Sequence, residues 1–157
     1  MNGLILAFLA LAAPAAAQEV EVQRQGSPPA RKGPAETFVG SVWLEGPFRG
    51  RGDARVGGAT VSFEPGARTA WHSHPLGQTL IVTRGCGLVQ GEGSPPMAIR
   101  PGDVVWIPAG KPHWHGAAPS SSMSHVAISE SLDGRSVTWM KHVEQQAYSD
   151  AARGSPC

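Results

Sequence analysis

The chain has 157 residues, room for one domain and one hydrophobic core at roughly 100–200 residues per domain. Hydrophobic residues make up 41%, which excludes disorder by composition, and the net charge of +1 without a run of Lys or Arg excludes the electrostatic footprint of a nucleic-acid binder. Gly (20) and Pro (14) are spread along the chain, which favours short strands joined by turns over a helical bundle.

At the N-terminus, Leu4 to Ala13 is an uncharged apolar run followed by Pro14 and Ala15-Ala16-Ala17. This reads as a secretory signal peptide over 1–17, although Met1-Asn2-Gly3 lacks the usual Lys or Arg. The run is too short for a membrane span. The expected product is exported to the periplasm or medium and soluble there, with no membrane contact after cleavage.

Residues 18–35 read as an arm: a short strand over Glu19–Gln23, with Val20 and Val22 alternating, then a linker around Ser27-Pro28-Pro29. The folded domain is expected over 36–149. Its candidate strands are Thr37–Leu44, Gly58–Phe63, Thr79–Thr83, Leu88–Glu92, Met97–Arg100, Asp103–Ile107, Trp114–Ala117, Ser124–Ser129 and Val137–Val143. Turn clusters at short intervals separate them, the pattern of an all-β barrel or sandwich able to hold a ligand. Glu144–Ala151 is the one helix candidate, and 150–157 reads as a tail. Cys86 lies between two glycines in a strand and Cys157 is the last residue, so the reading is two unpaired thiols rather than a structural bridge.

Five of the six histidines fall in three tight groups, His72 with His74, His113 with His115, and His125. On a strand, side chains at i and i+2 share a face, so each pair points one way. Two pairs on apolar strands converge when the strands enclose a common interior, where imidazoles need partners or a metal ion. His142, beyond the barrel strands, reads as a surface residue.

The spacing of these histidines resembles a known family. Gly66-x5-His72-x-His74-x3-Gln78-x6-Gly85 is similar to the first cupin motif, and Gly102-x5-Pro108-x-Gly110-x2-His113 to the second. The resemblance implies a small jelly-roll-like β-barrel holding a metal on His72, His74, Gln78 and His113. Two positions depart from the usual pattern: Gln78 stands where Glu is common, and Ala117 where Asn is common. Three neutral imidazoles and an amide would leave a divalent ion its full charge, a stronger Lewis acid than with a carboxylate. The donor set suits Mn, Fe, Co, Ni or Zn.

Within the cupins, the stretch from Phe63 through His72, His74 and Gln78, with Gly102 to Trp106 and His113 to Pro119, resembles the manganese-dependent hydroxynitrile lyases of bacteria. That likeness runs from about Glu19 to Tyr148 and implies one divalent ion, Mn(II) foremost. It also implies that His115 and His125 project into the substrate pocket as the acid and base of cyanohydrin cleavage or formation. Ala59, Val61 and Phe63, alternating on one strand, are expected to form an apolar wall for the aldehyde. The same ligands would serve a cupin dioxygenase, and a non-catalytic small-molecule-binding cupin would keep the barrel without needing the extra histidines. Cupins commonly pair through outer strands, so a homodimer or homotetramer is expected, with Val20 and Val22 available to a neighbour's sheet edge.

Overall fold

The computed structural model describes residues 19–155 and 157, so the leader expected over 1–17 lies outside the described residues. The strands in chain order are β1 (Arg31–Lys32), β2 (Phe38–Val39), β3 (Val42–Arg49), β4 (Val56–Phe63), β5 (Arg68–Thr69), β6 (His72–Ser73) and β7 (Gln78–Gly85). They continue as β8 (Gly87–Gly91), β9 (Met97–Ile99), β10 (Val104–Ile107), β11 (His113–Ala117), β12 (Met123–Glu130) and β13 (Thr138–Trp139), before helix α1 (Gln145–Gly154). One antiparallel sheet runs β1-β3-β4-β12-β7-β10, and a second runs β13-β6-β11-β5-β2, with β8 on β11 and β9 on β8.

Period-2 alternation decides what faces inward. On β12, Met123 pairs with Phe63 and His125 with Val61 and Val82, all buried, while Ser124 and Val126 take the opposite face. Val42, Val61, Phe63, Val82, Ile99 and Met123 thus form the core between the sheets. Every residue of β11 is buried because both of its faces are covered. His113 and His115 look inward, whereas Trp114 packs beneath α1 with Leu88, Val143, Tyr148 and Ala151. Full burial of side chains of this kind stabilises by roughly 1.5–3 kcal/mol each. Trp114 Nε1 donates to Gln90 Oε1 at 3.0 Å, so its polar edge is satisfied.

Several elements differ from the sequence reading. Thr37–Leu44 is two strands in different sheets, broken at Gly40, whose φ of +81° is left-handed and where a Cβ would meet Ala67 at 2.9 Å. Glu19–Gln23 forms no strand, and Val20 and Val22 are 95% and 63% exposed; the paired arm segment is Arg31–Lys32, on β3. Val137–Val143 contracts to Thr138–Trp139.

The expected tail is instead part of the fold. Helix α1 starts at Gln145 and continues to Gly154, with Tyr148 and Ala151 buried. Tyr148 donates its hydroxyl proton to Ala117 O at 2.8 Å. The buried Arg68 guanidinium lies 4.5 Å over the Tyr148 ring and donates to Val143 O at 3.0 Å, pinning the helix start. Ser155 Oγ then donates to Pro96 O at 2.9 Å, and Cys157 forms a disulfide with Cys86.

The two thiols are therefore paired, contrary to the sequence reading. The helix, by packing on β8, carries the C-terminus back to the turn between β7 and β8, a proximity that no local pattern announces. The bridge closes a separation of 71 residues. Chain-entropy arguments for a loop of that size give roughly 4 kcal/mol, so Cys157→Ser is expected to lower the melting temperature by several degrees, an effect that dithiothreitol reproduces in the parent and not in the variant.

Candidate metal centre

Four side chains converge where the two sheets meet. His72 lies on β6 opposite His113 at the start of β11, and Gln78 opens β7 opposite Ile107 and Ser129. The turn from His74 to Gln78 is tight: Gly77 has φ +85° and donates to His74 O, and a Cβ there would meet the Trp106 ring at 2.6 Å. His72, His74 and His113 are all buried, and one ring nitrogen from each lies within 4.8 Å of the others.

The outer nitrogen of each ring is engaged by a carbonyl, and a carbonyl only accepts. His72 Nδ1 donates to Ala70 O at 3.0 Å, His74 Nδ1 to Ser136 O at 2.6 Å, and His113 Nδ1 to Lys111 O at 2.9 Å. The proton of each neutral ring is thereby fixed on Nδ1, leaving the Nε2 lone pair for the interior. His74 Nε2 is buried without a partner. His113 Nε2 stands 3.0 Å from Gln78 Oε1. Two acceptors at that distance repel unless a cation sits between them or the amide turns its NH2 inward. Three lone pairs and an amide oxygen around one point are the donor set of a divalent first-row metal, so the residues fit such an ion.

Burial holds these rings neutral. His72 is held well below the usual histidine range, first by desolvation and then by the neighbouring His113, while His74 is lowered by desolvation. Desolvation likewise brings His113 down to about 4.

Two further imidazoles stand behind the three. His115 lines the cavity, and its Nε2 is buried without a partner. His125 is fully buried and does not line the cavity; its Nε2 meets His115 Nδ1 at 3.1 Å. Phe63 packs against both rings, 5.8 Å from His115 and 5.5 Å from His125. His115 is held well below the usual range by desolvation and by His125, and His125 is lowered to about 4 by desolvation. The backbone N–H of His115 donates to Thr69 Oγ1 at 3.2 Å.

The pH dependence of folding follows from His125. Its pKa falls from 6.5 in the unfolded chain to about 4 in the fold. Between those values the unfolded chain binds a proton that the native state refuses, so stability is full above pH 6.5 and is lost as pH falls towards 4. That window is worth about 3 kcal/mol for this group. Metal-free protein is expected to melt at progressively lower temperature from pH 6.5 to 4.5, followed by circular dichroism, and less steeply in His125→Phe.

The cavity above the histidines encloses about 540 Å³ and has an apolar wall that includes Phe38, Leu44, Val61, Ala127 and Trp139. Val61 lies on that wall. Phe63 lies below it, under the two rear imidazoles, and Ala59 lines a neighbouring depression instead. Trp139 packs against His72 with ring centroids 4.7 Å apart and a 37° tilt and, with the Ser136 carbonyl, comes from a segment without motif spacing, which hid both from sequence reasoning. His142 is exposed, its Nε2 donating to Glu36 O at 3.0 Å.

Comparison with known proteins agrees with this geometry. The Cupin domain family model matches residues 59–128. The chain is 56% identical over 129 residues to an (R)-mandelonitrile lyase of Granulicella tundricola, spanning 82% of this chain and 98% of that one. A cupin-like protein of Thermotoga maritima superposes with a TM-score of 0.74 at 40% identity, covering 86% of this chain and 99% of the other. A cupin-2 domain protein of Rhodospirillum rubrum, at 17% identity and TM-score 0.62 over 83% of this chain and 84% of its own, shares the fold. A double-sheet barrel with three inward histidines on the two motif segments, and a relative this similar over almost its full length, make the chain a member of the cupin family.

Proposed function

We propose that the protein is a metal-dependent hydroxynitrile lyase, interconverting a cyanohydrin with an aldehyde and hydrogen cyanide. The observation that carries this reading is a cavity lined by two kinds of imidazole: His72 and His74, whose ring nitrogens lie within 4.8 Å of each other and of that of buried His113, and His115, whose Nε2 has no partner. The mandelonitrile lyase relative supports it.

His72, His74, Gln78 and His113 would hold a divalent ion, with Mn(II) first among the candidates. Such an ion, when bound, acidifies a hydroxyl and stabilises the negative oxygen. His115 Nε2, neutral and unpartnered, takes the hydroxyl proton of the cyanohydrin. The oxygen electrons then form the carbonyl, the carbon–carbon bond breaks, and its electron pair leaves on cyanide. The proton carried by His115 passes to cyanide, which departs as HCN. His125 acts through His115: at 3.1 Å its Nε2 accepts a hydrogen bond from His115 Nδ1–H, which holds the ring in place and leaves the lone pair on His115 Nε2 to act as the base. Val61, Leu44 and Ala127 form an apolar wall that receives the aldehyde substituent.

The test is cyanide release from mandelonitrile under nitrogen by Mn(II)-loaded protein, with metal-stripped protein as the control. Release that requires the metal and not dioxygen is the expected result. Turnover that survives metal removal would overturn the mechanism, and consumption only in the presence of dioxygen would identify a dioxygenase. Gln78→Glu adds a negative ligand, so it is expected to tighten Mn(II) binding and slow cyanide release, each by roughly tenfold. Unchanged activity would remove Gln78 from the ligand set.

The Cys86–Cys157 disulfide is the chemistry of an oxidising compartment and supports export. Among the described residues, no helix is long and apolar enough to cross a membrane. Val104 and Trp106 on the edge strand β10 are 67% and 61% exposed, which supports assembly into a dimer or tetramer through the outer sheet.

A further inference from the structure

A second depression of about 390 Å³ lies beside the metal cavity, and the two share Arg31 and Ser136. Its lining includes Arg31, Arg49 and Arg55 together with Ser129, Ser131 and Ser136. Neither space is lined by a carboxylate.

Strand pairing shows why these side chains meet. Arg31 stands opposite Leu44, which lines the metal cavity, and directly paired residues project to the same face of a sheet, so Arg31 faces inward as well. Lys32 pairs with Trp43 and also lines the metal cavity, but not the second depression. Further along the same sheet, Arg49, Gly57, Ser129 and Gln78 are paired in succession and form one rung. Three steps of about 4.8 Å put Arg49 roughly 14 Å from Gln78. Gly57 adds no side chain, so the rung is open between Arg49 and Ser129, and the depression occupies that opening.

The acidic groups nearby offset Arg55 but leave Arg31 without a counter-charge. Glu130 pairs with Arg55 at 3.6 Å, Glu21 is engaged by Arg51, and Glu19 shares a separate groove with Arg49. Arg31 has no acidic partner among the described residues. It is the one cation common to both spaces.

We propose that this depression is a subsite for a carboxylate, and that the substrates are aldehydes or cyanohydrins carrying an anionic group at the end away from the reacting carbon. The reacting oxygen lies at the histidines, the substituent crosses the apolar wall of Leu44, Val61 and Ala127, and the carboxylate meets Arg31, with Arg49 behind it. The combined length and volume exceed what mandelonitrile alone fills, which leaves the far end for such a group. This inference rests on the lyase reading for the reaction and stands on its own for the charge of the ligand.

Isothermal titration of the metal-loaded protein with 4-formylbenzoate and with its neutral counterpart 4-formylbenzamide tests the proposal. The carboxylate is expected to bind five- to tenfold more tightly, an advantage that added salt reduces. Arg31→Gln, exposed and retaining its backbone pairing with Leu44, is expected to remove most of that advantage, and Arg31→Glu to reverse it. Arg49→Gln is expected to remove a smaller part. Equal affinity for the two probes overturns the proposal. So does a preference that survives Arg31→Gln, because the carboxylate would then be held by Lys32 or at the histidine end. No cyanide release enters this readout. A charge preference in a protein inactive on mandelonitrile would overturn the lyase reading alone, and cyanide release without the preference would overturn this inference alone.

Discussion

His115→Ala is expected to cut cyanide release from mandelonitrile by about 10³-fold while the protein keeps its metal, the range for loss of a positioned general base. The separation of effects follows from the structure. His115 lines the cavity and its Nε2 has no partner, whereas the ligand rings are held by backbone carbonyls that His115 does not supply: Ala70 for His72, Ser136 for His74 and Lys111 for His113. Truncating His115 therefore leaves the donor geometry intact, and metal content by elemental analysis should match the parent. His125→Ala serves as the comparison. As a positioning residue it is expected to cost about ten- to a hundredfold, within the range seen when a group orienting a catalytic ring is lost. It should also move the acid limb of the pH–rate profile to higher pH, because the charge coupling that lowers His115 is removed. A purely structural role for His125 would reduce the rate without moving that limb. Metal loss in His115→Ala would instead place His115 in the ligand set.

The barrel and the histidine site were legible because each rests on a short-range rule. The i, i+2 spacing put His72 with His74, and His113 with His115, on common faces, and the register His113 opposite His72 brings the pairs together. The inward placement of His125 came from the family resemblance, and its pairing with the buried Val61 shows the face it takes. What escaped was set by long-range packing. The helix was visible from residue 144 onward, but its continuation through Gly154 depends on Tyr148 and Ala151 packing on Trp114 and Leu88. The disulfide follows from that packing. An alternating Val20 and Val22 suggested a strand, yet pairing requires a free edge in the right place, and Arg31–Lys32 occupies β3 instead. Trp139 and Arg31 reach the cavity from segments whose local patterns are unremarkable for a site, so only the folded chain places them there.

His74→Ala is the variant expected to remove the metal. His74 is the most exposed of the four, 6% exposed, and its Nε2 has no partner within the protein, so in the metal-free state its loss gives up the one hydrogen bond to Ser136 O, about 1 kcal/mol of folding stability. Its removal reduces the set to two imidazoles and an amide. That is one donor fewer than the set the three fixed Nδ1 protons prepare, and it withdraws a charge stabilisation worth several kcal/mol in the transition state. Cyanide release is therefore expected to fall by about 10⁴-fold or more. Equilibrium supplies an independent check, because an ion that binds only the native state raises the melting temperature in proportion to RT ln(1 + [L]/Kd). Adding Mn(II) to stripped parent protein should raise its melting temperature by several degrees, and the same addition should leave His74→Ala unmoved. If the variant retains both the shift and the activity, His74 does not ligate, and the convergence of the three Nε2 atoms has another origin.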